Sequence, residues 1–143
     1  MITPADQTLL RDAISVAAKA ITLGDAPYGS LLADASGTIL IQAHNTVRSD
    51  NDITAHPELK LARWAARELD SDAAARTTMY TSCQPCGMCA GGIVRSGLGR
   101  VVYALSTAQL VELNPAGEWP EVAQDGPALF EEARIPIEDY YRP

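Results

Sequence analysis

Apolar residues recur at helical spacing in the first stretch of the chain. Leu9, Leu10, Ala13, Ile14, Ala17, Ala20 and Ile21 form one stripe that ends before Gly24. Thr3-Pro4 opens it, threonine as cap and proline in the first turn, so a packing helix is predicted. The pattern then shortens. Tyr28 to Ala33 and Thr38 to Ala43 are short apolar runs joined by Asp34-Ala35-Ser36-Gly37, a hairpin signal with glycine where the turn needs positive φ. Arg48 to Asp52 reads as a polar loop. Leu59, Leu61, Ala62, Ala65, Ala66 and Leu69 restore helical character after Pro57, which suits a first helical turn. Thr77 to Ser82 is a strand candidate, and Cys83-Gln84-Pro85 turns into another helix. Arg100 to Ala104 is a further strand, and Ser106-Thr107-Ala108 starts a short helix through Leu113.

Asn114 to Gly126, with two prolines and two glycines, is expected to be an exposed or active-site loop. Ala128 to Ala133 reads as helix and Ile135-Pro136-Ile137 as extended chain, with Tyr140-Tyr141 near the end. Helix, hairpin, helix, strand, helix, strand and helix is the order of a three-layer α/β/α sandwich with a mixed central sheet. A length of 143 residues predicts one domain spanning 1–143.

Composition narrows the partners. Eighteen acidic and 11 basic residues give a net charge of −7, and Lys19 and Lys60 are the only lysines. Nucleic-acid binding draws on clustered Lys and Arg, so no nucleic-acid partner is expected and a small uncharged substrate suits the chain better. The first ten residues have neither a basic nor an apolar signal region, and no apolar run approaches membrane-spanning length. No membrane partner is expected. Three cysteines, an odd number, point to a reducing cytoplasmic setting and to metal binding.

The chemistry concentrates in His56-Pro57-Glu58 and Pro85-Cys86-Gly87-Met88-Cys89. One imidazole and two thiols can supply three ligands to a tetrahedral Zn2+, and three protein ligands leave a position open, the mark of a catalytic zinc. Cys86 and Cys89, three apart on a helical turn, face the same way, and the positive helix end favours thiolate over thiol. Glu58, two residues beyond the histidine, is placed to move protons between a water and the substrate. A fourth protein ligand would make the site structural. The candidates, His44 and Cys83, read as an ordinary pocket histidine and a small buried residue. Asp50-Asn51-Asp52 lacks the glycine and distal glutamate of a calcium loop.

H-x-E followed by P-C-x-x-C is the signature of zinc-dependent nucleobase deaminases. The chain resembles the cytidine deaminase-like superfamily, in particular its guanine deaminase and tRNA adenosine deaminase branch, from Ala26-Pro27-Tyr28-Gly29 through Val101-Val102-Tyr103. Asn45, Asn51-Asp52-Ile53-Thr54-Ala55 and Cys83-Gln84-Pro85 add to the likeness. The resemblance implies hydrolytic release of ammonia from a free nucleobase or related aminated heterocycle, and a homodimer. It also implies that Asn45 hydrogen-bonds the base, that Tyr28 and Pro27 line its pocket, and that the Ser82 carbonyl lies near the leaving amino group.

Two positions depart from the family pattern. Pro57 stands where the family ordinarily has alanine, and proline has no N–H to give a substrate carbonyl. A shift in substrate preference is expected from it. Ala90-Gly91-Gly92-Ile93-Val94 replaces the aromatic residues that follow the second cysteine in guanine deaminases, which suggests a roomier pocket. Glu131, Glu132, Glu138, Asp139, Tyr140 and Tyr141 read either as a solvated acidic tail or as a pocket lid. The rival readings are a tRNA adenosine deaminase, a nucleoside deaminase and, from another class, a zinc-stabilised binding module.

Overall fold

A computed structural model of the chain describes residues 1–114 and 121–142. Four strands form one sheet: β1 (Gly29–Ala33), β2 (Ile39–His44), β3 (Thr78–Cys83) and β4 (Arg100–Leu105), in the order β2-β1-β3-β4. β1 runs antiparallel to both β2 and β3, whereas β3 and β4 are parallel, so the sheet is mixed as predicted. Seven helices complete the described chain: α1 (Pro4–Thr22), α2 (Val47–Asp50), α3 (Pro57–Glu68), α4 (Ser71–Ala75), α5 (Gly87–Ser96), α6 (Thr107–Leu113) and α7 (Phe130–Tyr141).

Alternation along the strands divides the core into two layers. On one face Leu31, Ala33, Tyr80 and Val102 pack against Leu10 and Ala13 of α1. On the other, Leu32 and Met79 pack against Leu61, Ala62 and Ala65 of α3 and Ile93 of α5. β1 is buried on both faces, which is why its run reads as continuously apolar. Helices on both sides of the sheet make the three-layer α/β/α sandwich.

Thr3 caps α1 through a reciprocal capping box with Asp6, whose carboxylate also fastens the helix to the sheet. Asp6 accepts from Tyr80 Oη at 2.7 Å, from Arg100 Nη1 at 2.9 Å and from Arg100 Nη2 at 3.0 Å. The Arg100 guanidinium, then the Thr3 N–H and the Tyr80 hydroxyl, hold the Asp6 carboxyl well below the usual range. Burial and the Asp6 bond push Tyr80 up to about 12. Asp6→Asn is expected to cost about 2 kcal/mol, the scale of hydrogen bonds to a charged group. The Arg100 share is discounted because that side chain is 42% exposed. A depressed folded pKa gives stability that is present above the ordinary carboxylate range and lost as pH falls through the folded value. Urea unfolding at pH 7 and pH 3 checks both points: the wild-type advantage over Asp6→Asn should shrink at the lower pH.

Three segments differ from the sequence pattern. Arg48 to Asp52 is not a loop throughout, because α2 occupies Val47–Asp50 and ends on Asn51 in the left-handed region at φ 49. Ser49, on this helix, donates through its N–H and hydroxyl to Asp25, which fixes a turn that reads as merely polar. α4 adds a short helix capped by Asp70, whose side chain accepts from Ala73 N at 2.8 Å. The C-terminal stretch is one helix, α7, with Pro136 inside it rather than an extended break at 135–137. Arg134 bridges Glu131 and Glu138 across the proline, and this exposed helix can leave the freed carbonyl to water. No residue of α7 is buried. Of the loop expected over Asn114 to Gly126, residues 115–120 lie outside the described residues. Among the described residues no helix is long and apolar enough to cross a membrane.

Candidate metal centre and active site

His56 and Cys86 are the N-cap residues of α3 and α5, both with extended backbone. N-cap side chains commonly turn back onto the first helical N–H groups. Neither does so here. Both face Cys89, one turn into α5. His56 Nδ1 lies 3.7 Å from Cys86 Sγ and 3.5 Å from Cys89 Sγ. A tetrahedral zinc with bonds of about 2.0–2.1 Å to nitrogen and about 2.3 Å to sulfur sets N···S edges of about 3.6 Å. The three donor atoms therefore sit where zinc ligands would. Among the described residues this is the one group of three able to hold a metal ion. Cys83 and His44 stay outside it: Cys83 is buried beside the pocket, and His44 Nδ1 lies 2.9 Å from the Asn45 carbonyl.

A cation bound by this donor set would have to compete with a thiol proton. Burial above all, then the charges of Glu58 and Cys86, push the Cys89 thiol strongly up. The N–H of Leu59 in the first turn of α3 works the other way, as a helix start should, but is outweighed. A buried thiolate beside a carboxylate becomes favourable once a divalent ion joins them, and the ion must displace the thiol proton. With two thiol ligands each giving up a proton, zinc affinity is thus expected to fall by about a hundredfold for each unit that pH is lowered between 8 and 6. Competition against a chromophoric chelator measures this, and a flat profile would show that no proton is displaced.

Glu58 is 5% exposed and stands beside the cluster. Its Oε2 lies 3.7 Å from Cys89 Sγ, while Oε1 accepts from Thr81 Oγ1 at 2.8 Å. The pocket beside them has a volume of about 260 Å³ and is lined by His56, Pro57, Glu58 and Cys86 on the metal side. Tyr28, Asn45, Cys83, Gln84, Leu110 and Asn114 form the rest of its described wall. Such a volume falls just below the 300–1,000 Å³ of typical ligand pockets, a size for one small ring system.

Asn45 is buried and held at both ends. Its N–H donates to the Tyr28 carbonyl at 2.9 Å, and its Oδ1 accepts from Val47 N at 3.0 Å. Lys60 clamps the same corner by donating to the His44 carbonyl and to Thr46 Oγ1. With its oxygen engaged, Asn45 offers its NH2 to the pocket. Gln84 is set the same way: Oε1 accepts from Thr107 N at 3.0 Å and Thr107 Oγ1 at 3.2 Å. Burial, then the charges of Cys83 and Glu58, raises the Tyr28 hydroxyl, which stays a neutral donor.

Of the residues singled out in the sequence, His56, Pro57, Glu58, Cys86, Asn45 and Tyr28 meet at this pocket. Pro27 and Ser82 are not in its described wall. Ser82 Oγ accepts from Gly29 N at 3.1 Å. The small residues after Cys89 do not widen the pocket, since none of Ala90 to Val94 lines it. Gly92 is small because α3 crosses there, and a Cβ would meet Leu59 Cδ1 at 2.5 Å. No residue of α7 lines the described wall. Gln84 and Leu110 escaped the sequence reading as pocket residues, whereas Asn114 opens the stretch expected to be an exposed or active-site loop. The capping box that starts α6, Ser106 with Gln109, was the available signal for the element that carries Leu110.

A mixed α/β/α sandwich with two helix starts converging on a His-Cys-Cys cluster and a buried carboxylate defines a zinc-site hydrolase class. The chain belongs to the cytidine deaminase-like family: the family model described as "Cytidine and deoxycytidylate deaminase zinc-binding region" matches residues 3–105. It is 34% identical over 137 residues to a probable cytosine deaminase of Schizosaccharomyces pombe, covering 93% of this chain and 81% of that protein. It is also 34% identical over 101 residues to the tRNA-specific adenosine deaminase of Haemophilus influenzae, covering 71% and 58%. Among solved structures, guanine deaminase from Bacillus subtilis superposes with a TM-score of 0.76 at 27% identity, covering 94% of this chain and 92% of that one.

Proposed function

We propose that the chain catalyses zinc-dependent hydrolytic deamination of a free nucleobase or related aminated heterocycle, as one domain, in the cytoplasm. The observation that carries this reading is the buried Glu58 carboxylate, whose Oε2 lies 3.7 Å from Cys89 Sγ of the His-Cys-Cys cluster, on the metal side of a small pocket. His56 Nδ1, Cys86 Sγ and Cys89 Sγ would hold the zinc. The chemistry expected of zinc so held is Lewis-acid activation of water at neutral pH.

The remaining work falls to the protein. Glu58 Oε2 takes a proton from water and passes it to a ring nitrogen as the water oxygen adds to the amine-bearing carbon; it then moves the second proton, from the added hydroxyl, to the amino group, and the C–N bond breaks to release ammonia. Asn45 and Gln84, presenting NH2 groups, orient a ring that offers carbonyl or ring-nitrogen acceptors. The net charge of −7 and the absence of any basic run favour a small substrate over tRNA. A homodimer is part of the proposal, supported by α7, where Phe130, Ile137, Tyr140 and Tyr141 are all exposed on a helix that buries nothing of its own.

Ammonia release by the zinc-loaded protein tests the reading on guanine, cytosine, adenine, isoguanine and amino-triazines with matched nucleosides. Turnover of free bases only is the expected result; turnover of nucleosides only would transfer the activity to that class. Pro57 lies at the first position of α3 in the pocket wall and gives no N–H. Pro57→Ala is expected to change the ranking of substrates that differ in a carbonyl by about 5- to 150-fold, the 1–3 kcal/mol of an unmade buried hydrogen bond. An unchanged ranking would remove Pro57 from substrate selection.

A further inference from the structure

Ser30 and Thr81 face each other across the antiparallel β1–β3 pair, and both are fully buried. Strand alternation puts them on the same sheet face as Leu32 and Met79, which pack beneath α3 and α5. Apolar side chains fill such positions by default, because a buried hydroxyl is costly unless bonded. Both hydroxyls are bonded here, in one direction. Ser30 Oγ donates to Thr81 Oγ1 at 2.8 Å, and Thr81 Oγ1 donates to Glu58 Oε1 at 2.8 Å.

A threonine hydroxyl has a single hydrogen. A carboxylate can only accept, so that hydrogen points to Glu58, and Ser30 supplies the bond on the other side. The result distinguishes the two carboxylate oxygens. Oε1 is held by a charge-assisted bond from a rigid strand, and Oε2 is left facing the ligand cluster. A glutamate side chain is otherwise free about three torsions.

We propose that Thr81, backed by Ser30, is the positioning residue for Glu58: it anchors Oε1 so that Oε2 alone handles protons. The inference rests on the deaminase reading above and deepens it. Nothing in it concerns the metal ligands themselves.

The test compares Thr81→Val, which keeps the shape and removes the donor, with Thr81→Ser, which keeps the donor and removes a methyl. Each is assayed as the zinc-loaded full chain for kcat, KM, zinc content and Tm. The Glu58 carboxylate stretch is read separately by infrared spectroscopy as the difference against Glu58→Gln. Thr81→Val should lower kcat about 100-fold, the scale of a misplaced catalytic group, with KM changed less than about twofold. It should keep one zinc per chain, shift the carboxylate band, and lower Tm by no more than the few degrees that an unpaired Ser30 hydroxyl and Glu58 oxygen cost. Thr81→Ser should return both kcat and the band toward wild type, and Ser30→Ala should show a weaker form of the Thr81→Val loss. A Thr81→Val kcat near wild type, a Thr81→Ser no better than Thr81→Val, or an unmoved band would overturn the assignment. A wild type silent on every substrate would sink the deaminase reading instead, and the band would then decide the Thr81 contact by itself.

Discussion

Glu58→Gln is expected to lower kcat by about 10²–10⁴-fold, the full range for loss of a general acid–base, and toward its upper end. The expectation follows from geometry. Glutamine keeps the volume at a site that is 5% exposed, and its oxygen can still accept from Thr81. The three ligand atoms are untouched, so zinc should remain at one per chain. What disappears is a basic oxygen beside the cluster, and with it each proton transfer to the substrate. Steady-state ammonia release paired with metal analysis makes the measurement. A variant within about tenfold of wild type would remove Glu58 from proton transfer. Retention of a binding function by the same variant would support the zinc-stabilised module instead.

Gly29→Ala is expected to be strongly destabilising, because a side chain there would push β1 off α1. A Cβ there would overlap Ala17 N and lie 2.6 Å from Ala13 O and 2.8 Å from Val16 C. All three are backbone atoms of α1, so no rotamer change relieves the overlap. Overpacking ordinarily costs about 1–3 kcal/mol, and a contact between rigid elements belongs at or above the top of that range. A loss of about 3 kcal/mol is a large share of the 5–15 kcal/mol that holds a domain folded. Gly29 also donates to Ser82 Oγ and pairs with His44, so its displacement would carry Tyr28 with it. Urea unfolding measures the effect, and a midpoint within about 0.2 M of wild type would show that α1 yields more easily than its geometry implies.

The fold and the site were legible in the sequence to different depths. His56, Cys86 and Cys89 could be read because ligand spacing is a local property, and Pro57 and Pro85 mark where their helices begin. The sheet could be read because β1 is buried on both faces and the hairpin carries its own turn residues. α7 could not: Pro136 argues for a break, and only the Arg134 bridges across it argue otherwise. The Ser30–Thr81–Glu58 chain was hidden for a deeper reason. Its bonds join residues 51 and 23 positions apart, fixed by strand register rather than by any period along the chain. Gln84 was hidden likewise, since the direction of its amide depends on Thr107 at the start of α6.

The two sides of the pocket come from different parts of the chain. The metal side hangs on the starts of α3 and α5, buttressed by the sheet. The facing side is assembled from the end of β2, Gln84 and α6. A descendant gene could therefore exchange Asn45, Gln84, Leu110 or Asn114 one at a time and keep its hydrolytic machinery throughout. Diversification of this lineage would leave its record at those four positions, and a library randomised there is the short route to new substrates.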